Sequence, residues 1–128
     1  MKLLYPFAKR YIAGDDFESA QLTANELITN GFEFSFNYVG EYSKTIDEAT
    51  AARNQYLKIL NYYQNKKIDL SIKISQFGLL ISPENCESLL QQIVEKAYNY
   101  GHTVRFDMEH STITDKTLDL CLKLNQKY

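Results

Sequence analysis

Three stretches of the chain alternate apolar and polar residues with the period of two that a β-strand imposes. In the first, Phe32, Phe34, Phe36 and Tyr38 alternate with Glu33, Ser35 and Asn37. In the second, Leu70, Ile72 and Ile74 alternate with Ser71, Lys73 and Ser75. In the third, from His102 to Ser111, one side carries Val104, Phe106 and Met108 and the other carries Thr103, Arg105, Asp107 and Glu109. Each stretch predicts a strand with an apolar face and a polar one, and the polar faces run in phase.

Between these stretches the spacing becomes helical. Asp15 and Glu18 form a D-x-x-E start signal, followed by Phe17, Ala20, Ala24, Leu27 and Ile28, with Asn30-Gly31 as the stop. A capping box from Thr45 to Glu48 opens a helix to about Asn65, with Ala49, Ala52, Tyr56, Ile59 and Leu60 inward and Lys66 and Lys67 at its negative end. Ser82-Pro83-Glu84 places a cap, a first-turn proline and an acid at the start of a helix that continues to Tyr100, before Gly101. Thr112 or Thr114 caps a last helix, in which Leu118, Cys121, Leu122 and Asn125 share a side.

The order is one helix, then strand and helix three times over. Short connections and right-handed crossovers make such strands parallel, with the helices on one side of the sheet. The fold class is α/β. The face turned away from the helices carries Glu33, Asn37, Lys73, Arg105 and Asp107, whereas parallel sheets are normally covered on both faces. In a closed (βα)8 barrel that face is the lumen, and chemistry sits at its C-terminal mouth, near Asn37, Lys73 and Asp107. A full barrel takes on the order of 250 residues, so the chain supplies about three consecutive βα units. Residues 1–31 form an N-terminal segment and helix, and residues 32–128 the three units of a partial barrel domain. The alternative is a small open α/β sheet whose polar face is wet.

Composition narrows the functional classes. The 128 residues are 45% apolar and 23% charged, as in one folded, soluble domain. Fourteen basic against sixteen acidic residues give a formal charge of −2, without the basic stripe that nucleic acid requires. The apolar N-terminal run is broken by Pro6 and followed by Lys9 and Arg10, and no segment is long and apolar enough to span a membrane. Cys86 and Cys121 are widely spaced and form no CxxC, which suits reduced thiols in a cytoplasmic protein. His102 and His110 lack metal-site spacing and read as loop residues, so no metal is expected.

The sequence resembles the flavin-dependent proline dehydrogenase family from about Arg10 to the C-terminus. The resemblance is carried by Arg10-Tyr11-Ile12-Ala13-Gly14, by Asn37-Tyr38-Val39-Gly40-Glu41, by Ser71-Ile72-Lys73-Ile74-Ser75-Gln76-Phe77-Gly78, by Val104-Arg105-Phe106-Asp107-Met108-Glu109 and by Thr117-Leu118-Asp119-Leu120. Order, spacing and position on the strands make the combination specific. It implies the N-terminal part of a (βα)8 barrel that binds FAD non-covalently and oxidises L-proline to 1-pyrroline-5-carboxylate, with electrons passing to a quinone or similar acceptor. It implies a protein that is cytoplasmic or peripheral to the inner membrane. By the same resemblance Lys73 helps hold the substrate carboxylate, Asp107 lies beside the substrate and that lysine, and Met108 falls close to the flavin ring.

Physical chemistry agrees with these assignments. Proline is a zwitterion, so its site needs a cation for the carboxylate and an anion or acceptor for the amine, both aimed from rigid strand ends. The bland reading of Lys73 and Asp107 is an ion pair that satisfies charge in the lumen. Asn37 stands where the first-strand motif commonly has an acid. The remaining strands, which bring most FAD contacts, and the final-helix arginine pair have no counterpart in these 128 residues. The isolated chain is therefore expected to be inactive, and to self-associate or to need a C-terminal portion. Two further readings remain: a non-catalytic α/β module that pairs with another chain through its open sheet, and an aldolase-like barrel with Lys73 as a Schiff-base lysine.

Overall fold

The computed structural model describes residues 12–128. The apolar N-terminal run, and Arg10 and Tyr11 of the first motif, lie outside the described residues. The chain divides after Phe34 into two compact units.

In the first unit, helix α1 spans Phe17–Thr29. Its cap is Asp16, where the sequence suggests Asp15 with Glu18. The Asp16 carboxylate accepts from the Ser19 N–H at 2.8 Å, and the Ser19 hydroxyl accepts from the Asp16 N–H at 3.3 Å. A serine three residues on thus completes the box, displacing the start by one position.

The second unit, Ser35–Tyr128, runs β1 (Ser35–Phe36), α2 (Ile46–Tyr62), β2 (Asp69–Ile72), α3 (Pro83–Asn99), β3 (Thr103–Phe106) and α4 (Thr114–Asn125). Short 3-10 turns at Ile74–Phe77 and Ser111–Ile113 follow β2 and precede α4. The strands form one parallel sheet in the order β1-β2-β3, with Phe36 opposite Leu70 and Ile72 opposite Phe106. The α/β reading with parallel strands in chain order is what the structure shows.

Strand lengths depart from the alternation. The seven-residue first strand contracts to two residues: at its start the Phe32 N–H returns to the Leu27 carbonyl at 2.9 Å, and past its end the Tyr38 N–H turns to the Tyr56 hydroxyl, 3.2 Å away. The second strand stops at Ile72, and the four residues Ile74, Ser75, Gln76 and Phe77 are buried consecutively, which no extended strand with one wet face permits. Gly78 ends that turn at φ 78°, in left-handed backbone where a side chain would be strained.

The long helices follow their local signals. The Thr45 hydroxyl accepts from the Glu48 N–H at 3.1 Å, while the Glu48 carboxylate reaches back to the Lys44 N–H at 2.7 Å. Ser82 caps α3 with Pro83 in its first turn. The α2 face Ala49, Ala52, Tyr56, Ile59 and Leu60 is buried as its spacing requires, facing a core completed by Leu70, Ile72, Ile74, Phe77, Leu90 and Ile93. Each such aliphatic side chain contributes roughly 1.5–3 kcal/mol by leaving water. In α4 neither threonine caps. Thr114 is its first residue, and the inward side is Thr117, Leu120 and Leu124. Leu118 and Leu122 are exposed, as is Cys121. Thr117 is buried, and its hydroxyl is satisfied within the helix by the Ile113 carbonyl at 2.9 Å.

Candidate active site

The odd-numbered residues of β2 and the segment after it meet the odd-numbered residues of β3 in a ladder of polar side chains. Arg105 pairs with Asp69 at the near end. Next, Asp107 accepts from the Ser71 hydroxyl at 2.5 Å through Oδ1 and from Lys73 Nζ at 3.1 Å through Oδ2. Beyond that, Glu109 accepts from the Ser75 N–H at 3.1 Å through Oε1 and from the Ser75 hydroxyl through Oε2. The last backbone pairing of the two strands is Ile72 with Phe106, followed by the Asp107 N–H on the Ile72 carbonyl at 2.8 Å. Past that point the two segments are joined through the side chains of Asp107 and Glu109 rather than by backbone pairing.

Lys73 and Asp107 therefore stand together at the C-terminal ends of adjacent parallel strands. Their side chains are 32% and 29% accessible, so the pair is neither sealed in the core nor freely solvated. Each keeps hydrogen-bonding capacity for a third group, since an ammonium has three donors and a carboxylate four acceptor directions.

Three supports were not evident in the alternation. Tyr56, fully buried in α2, donates to the Ser71 carbonyl at 3.0 Å and accepts from the Tyr38 N–H, joining β1 and β2 from behind. Burial pushes its phenol well above the ordinary tyrosine range. Gln76 donates to the Tyr38 carbonyl at 3.0 Å. The Ser75 hydroxyl accepts from the Tyr42 N–H at 3.0 Å, and the Ser75 carbonyl from the Ser43 N–H at 3.2 Å. Tyr42 has φ 52°, a left-handed conformation uncommon for a bulky residue and held here by that bond.

Outside the ladder, Cys86 and His102 are held by their surroundings. Cys86 is buried and weakly bonded through Sγ to the Ile74 carbonyl at 3.6 Å, and burial, with Glu109 and Glu87 adding to it, pushes its thiol up to about 12. His102 and His110 are loop residues. His102 Nδ1 accepts from the Ile68 N–H at 3.3 Å, and burial holds its pKa below the usual value. Among the described residues no three His, Cys, Asp or Glu side chains gather as a metal site, and no helix is long and apolar enough to cross a membrane.

Comparison with known proteins identifies the setting of this ladder. A family model described as proline dehydrogenase matches residues 20–128, nearly the whole chain. The chain belongs to the proline dehydrogenase family. It is similar to proline dehydrogenase 1 of Bacillus subtilis subsp. natto, at 30% identity over 123 residues that make up 94% of this chain and 41% of that protein. Proline dehydrogenase 2 of Bacillus subtilis strain 168 is 24% identical over the same shares of each. Proline dehydrogenase of Deinococcus radiodurans is 29% identical over 122 residues, 91% of this chain and 39% of that protein. The chain thus spans about 41% of the length of the first of these relatives.

On this proline dehydrogenase segment the motif residues fall just past the strands. Asn37 and Glu41 follow β1 and are exposed, outside the ladder. Gly40 sits so close to Gln76 that a Cβ there would collide with its side-chain nitrogen. Met108, between the ladder residues Asp107 and Glu109, is 53% exposed on the opposite parity. A cleft of about 260 Å³ lies away from the pair, between α3, β3 and α4, lined by Tyr98, His102, Val104, Phe106 and Cys121 among others.

Proposed function

We propose that the ends of β2 and β3 form the substrate-binding part of an FAD-dependent proline dehydrogenase, which oxidises L-proline to 1-pyrroline-5-carboxylate and passes electrons to a quinone or similar acceptor. The observation that carries this reading is the Lys73–Asp107 pair, a part-exposed cation and anion 3.1 Å apart at adjacent strand ends. Lys73 takes the substrate carboxylate as a charge-assisted partner, and Asp107 holds Lys73 and faces the substrate amine. Ser71 and the buried Tyr56 fix Asp107 and β2 from behind, so the pair is set before substrate arrives. The sheet forms the first three strands of a (βα)8 barrel, with the polar ladder in its lumen.

The flavin fits this chain less well than the substrate does. FAD is the hydride acceptor of this chemistry, and Met108 is the residue assigned to its ring. An exposed thioether on the parity opposite to the polar ladder does not make a dinucleotide pocket, which is concave and buries most of its ligand. In this reading the flavin contacts come from further βα units, added at the open edge of β3.

The test is an enzyme in which this chain replaces the matching segment of the Bacillus subtilis relative. Lys73→Ala and Asp107→Ala should each lower kcat/KM for L-proline by on the order of 100-fold, the loss of a charge-assisted contact to a charged group. Normal proline turnover by both variants would overturn the assignment. Borohydride trapping of Lys73 with a carbonyl compound would point instead to Schiff-base chemistry.

A further inference from the structure

Glu109 has no part in the pair itself, yet it controls the backbone that carries Lys73. Lys73 lies between two fixed points. On one side the Ile72 carbonyl is held by the Asp107 N–H at 2.8 Å. On the other, Lys73 opens the 3-10 turn, its carbonyl accepting from the Gln76 N–H at 3.1 Å. The middle of that turn is Ser75, buried and gripped by both oxygens of the Glu109 carboxylate. The grip extends to the segment after β1 through the Tyr42 N–H on the Ser75 hydroxyl and the Ser43 N–H on the Ser75 carbonyl. The Glu109 carboxylate, two residues past Asp107, is therefore tied to Ser75, two residues past Lys73, and through Ser75 to the segment that follows β1.

We propose that Glu109 is a positioning residue: by clamping the Ser75 N–H and hydroxyl it sets the turn after β2, and so the direction in which Lys73 meets Asp107. Its functional meaning rests on the substrate-site reading above, whereas its geometry does not. A carboxylate that accepts two hydrogen bonds at one residue fixes that residue's orientation as well as its distance, which a single contact cannot do. Residues 107 and 109 share a strand parity, so any shift of the segment after β3 moves the Asp107 carboxylate and the turn carrying Lys73 together. The clamp keeps the two charges in register where the backbone ladder has already ended.

The experiment uses the purified chain and the side-chain NMR signals of Lys73 (15Nζ and 13Cε), assigned with Lys73→Arg. Asp107→Asn calibrates the shift that marks loss of the pair. Glu109→Ala should reproduce most of that shift, while Glu109→Gln, which can accept from the N–H and meet the hydroxyl, should leave Lys73 near its wild-type position. The Gln variant also removes the charge, so a through-space effect of charge alone would move both variants equally and overturn the proposal. A Lys73 signal unmoved in folded Glu109→Ala would overturn it as well. If Glu109→Ala does not fold, Ser75→Ala decides. It keeps the N–H contact and loses the hydroxyl one, and should shift Lys73 part of the way, an unchanged signal overturning the clamp. L-proline titrated into the same samples reads the substrate assignment separately, since Lys73 can fail to respond to proline while still depending on Glu109.

Discussion

The hydroxyl of Tyr56, at the buried centre of α2, donates to the carbonyl of Ser71 at 3.0 Å, directly behind the residue whose own hydroxyl holds Asp107. A helix thus braces the strand that carries the charged pair. Tyr56→Phe removes this bond and the one from the Tyr38 N–H while keeping the ring packed on Phe77, 5.7 Å between centroids. The variant should lose about 1–3 kcal/mol, the cost of leaving buried backbone groups unpaired. Urea unfolding followed by far-ultraviolet circular dichroism checks this, and an unchanged midpoint would count against the brace.

The Lys73–Asp107 pair should matter little to stability. With about a third of each side chain accessible, its attraction is screened, and Lys73→Ala should cost at most about 1 kcal/mol in the same unfolding experiment. A loss of several kcal/mol would make the pair a structural device and would weaken the case for substrate binding.

Alkaline pH should unfold the chain through groups the core keeps protonated. Burial raises the Cys86 thiol from 9.0 to about 12 and raises the phenols of Tyr56 and Tyr63 above their ordinary value. The unfolded chain releases these protons first, so above about pH 9 it binds fewer protons than the native state. Stability is then full below that pH and falls progressively as the pH rises through about 12. Stability measured against pH should decline over this window, with a shallower slope in Cys86→Ala. At pH 8 a thiol reagent should label exposed Cys121 promptly and Cys86 only after unfolding.

Flavin binding separates a chain that completes its own site from one that does not. Titration of the purified chain with FAD, followed by absorbance and flavin fluorescence, should show no saturable binding, and proline should not be oxidised. Saturable binding by an oligomer, with mass measured on the same sample, would mean that copies assemble the missing flavin contacts among themselves.

Much of this architecture was readable where the signal is local. Thr45 and Ser82 mark their helices because a cap is a contact across three residues, and the α2 stripe follows from helical spacing alone. Parallel strands in chain order followed from the strand-helix order with right-handed crossovers, and the phasing of Ser71, Lys73, Arg105 and Asp107 from alternation. What escaped depends on partners distant in sequence. Alternation could not show that Tyr38 turns away to Tyr56, or that the chain coils at Lys73 to bury Ser75 and Gln76. In α4 the stripe Leu118, Cys121, Leu122 and Asn125 is as apolar as the true inner side of Thr117, Leu120 and Leu124, and packing against the rest of the chain selects between them. Glu109 gave no signal beyond its parity, because nothing local marks its partner as a buried serine in the turn after β2.

The side-chain ladder continues where the backbone ladder stops, and this separates two kinds of change. Substitutions within Leu70–Ile72 or Val104–Phe106 disturb the sheet itself, but those at Lys73, Asp107 and Glu109 act on rungs that no backbone pairing depends on. Mutation can therefore rewrite the charges and hydrogen-bonding groups at this end of the sheet while the strand pairing beneath them is kept, so that the two can change at different rates.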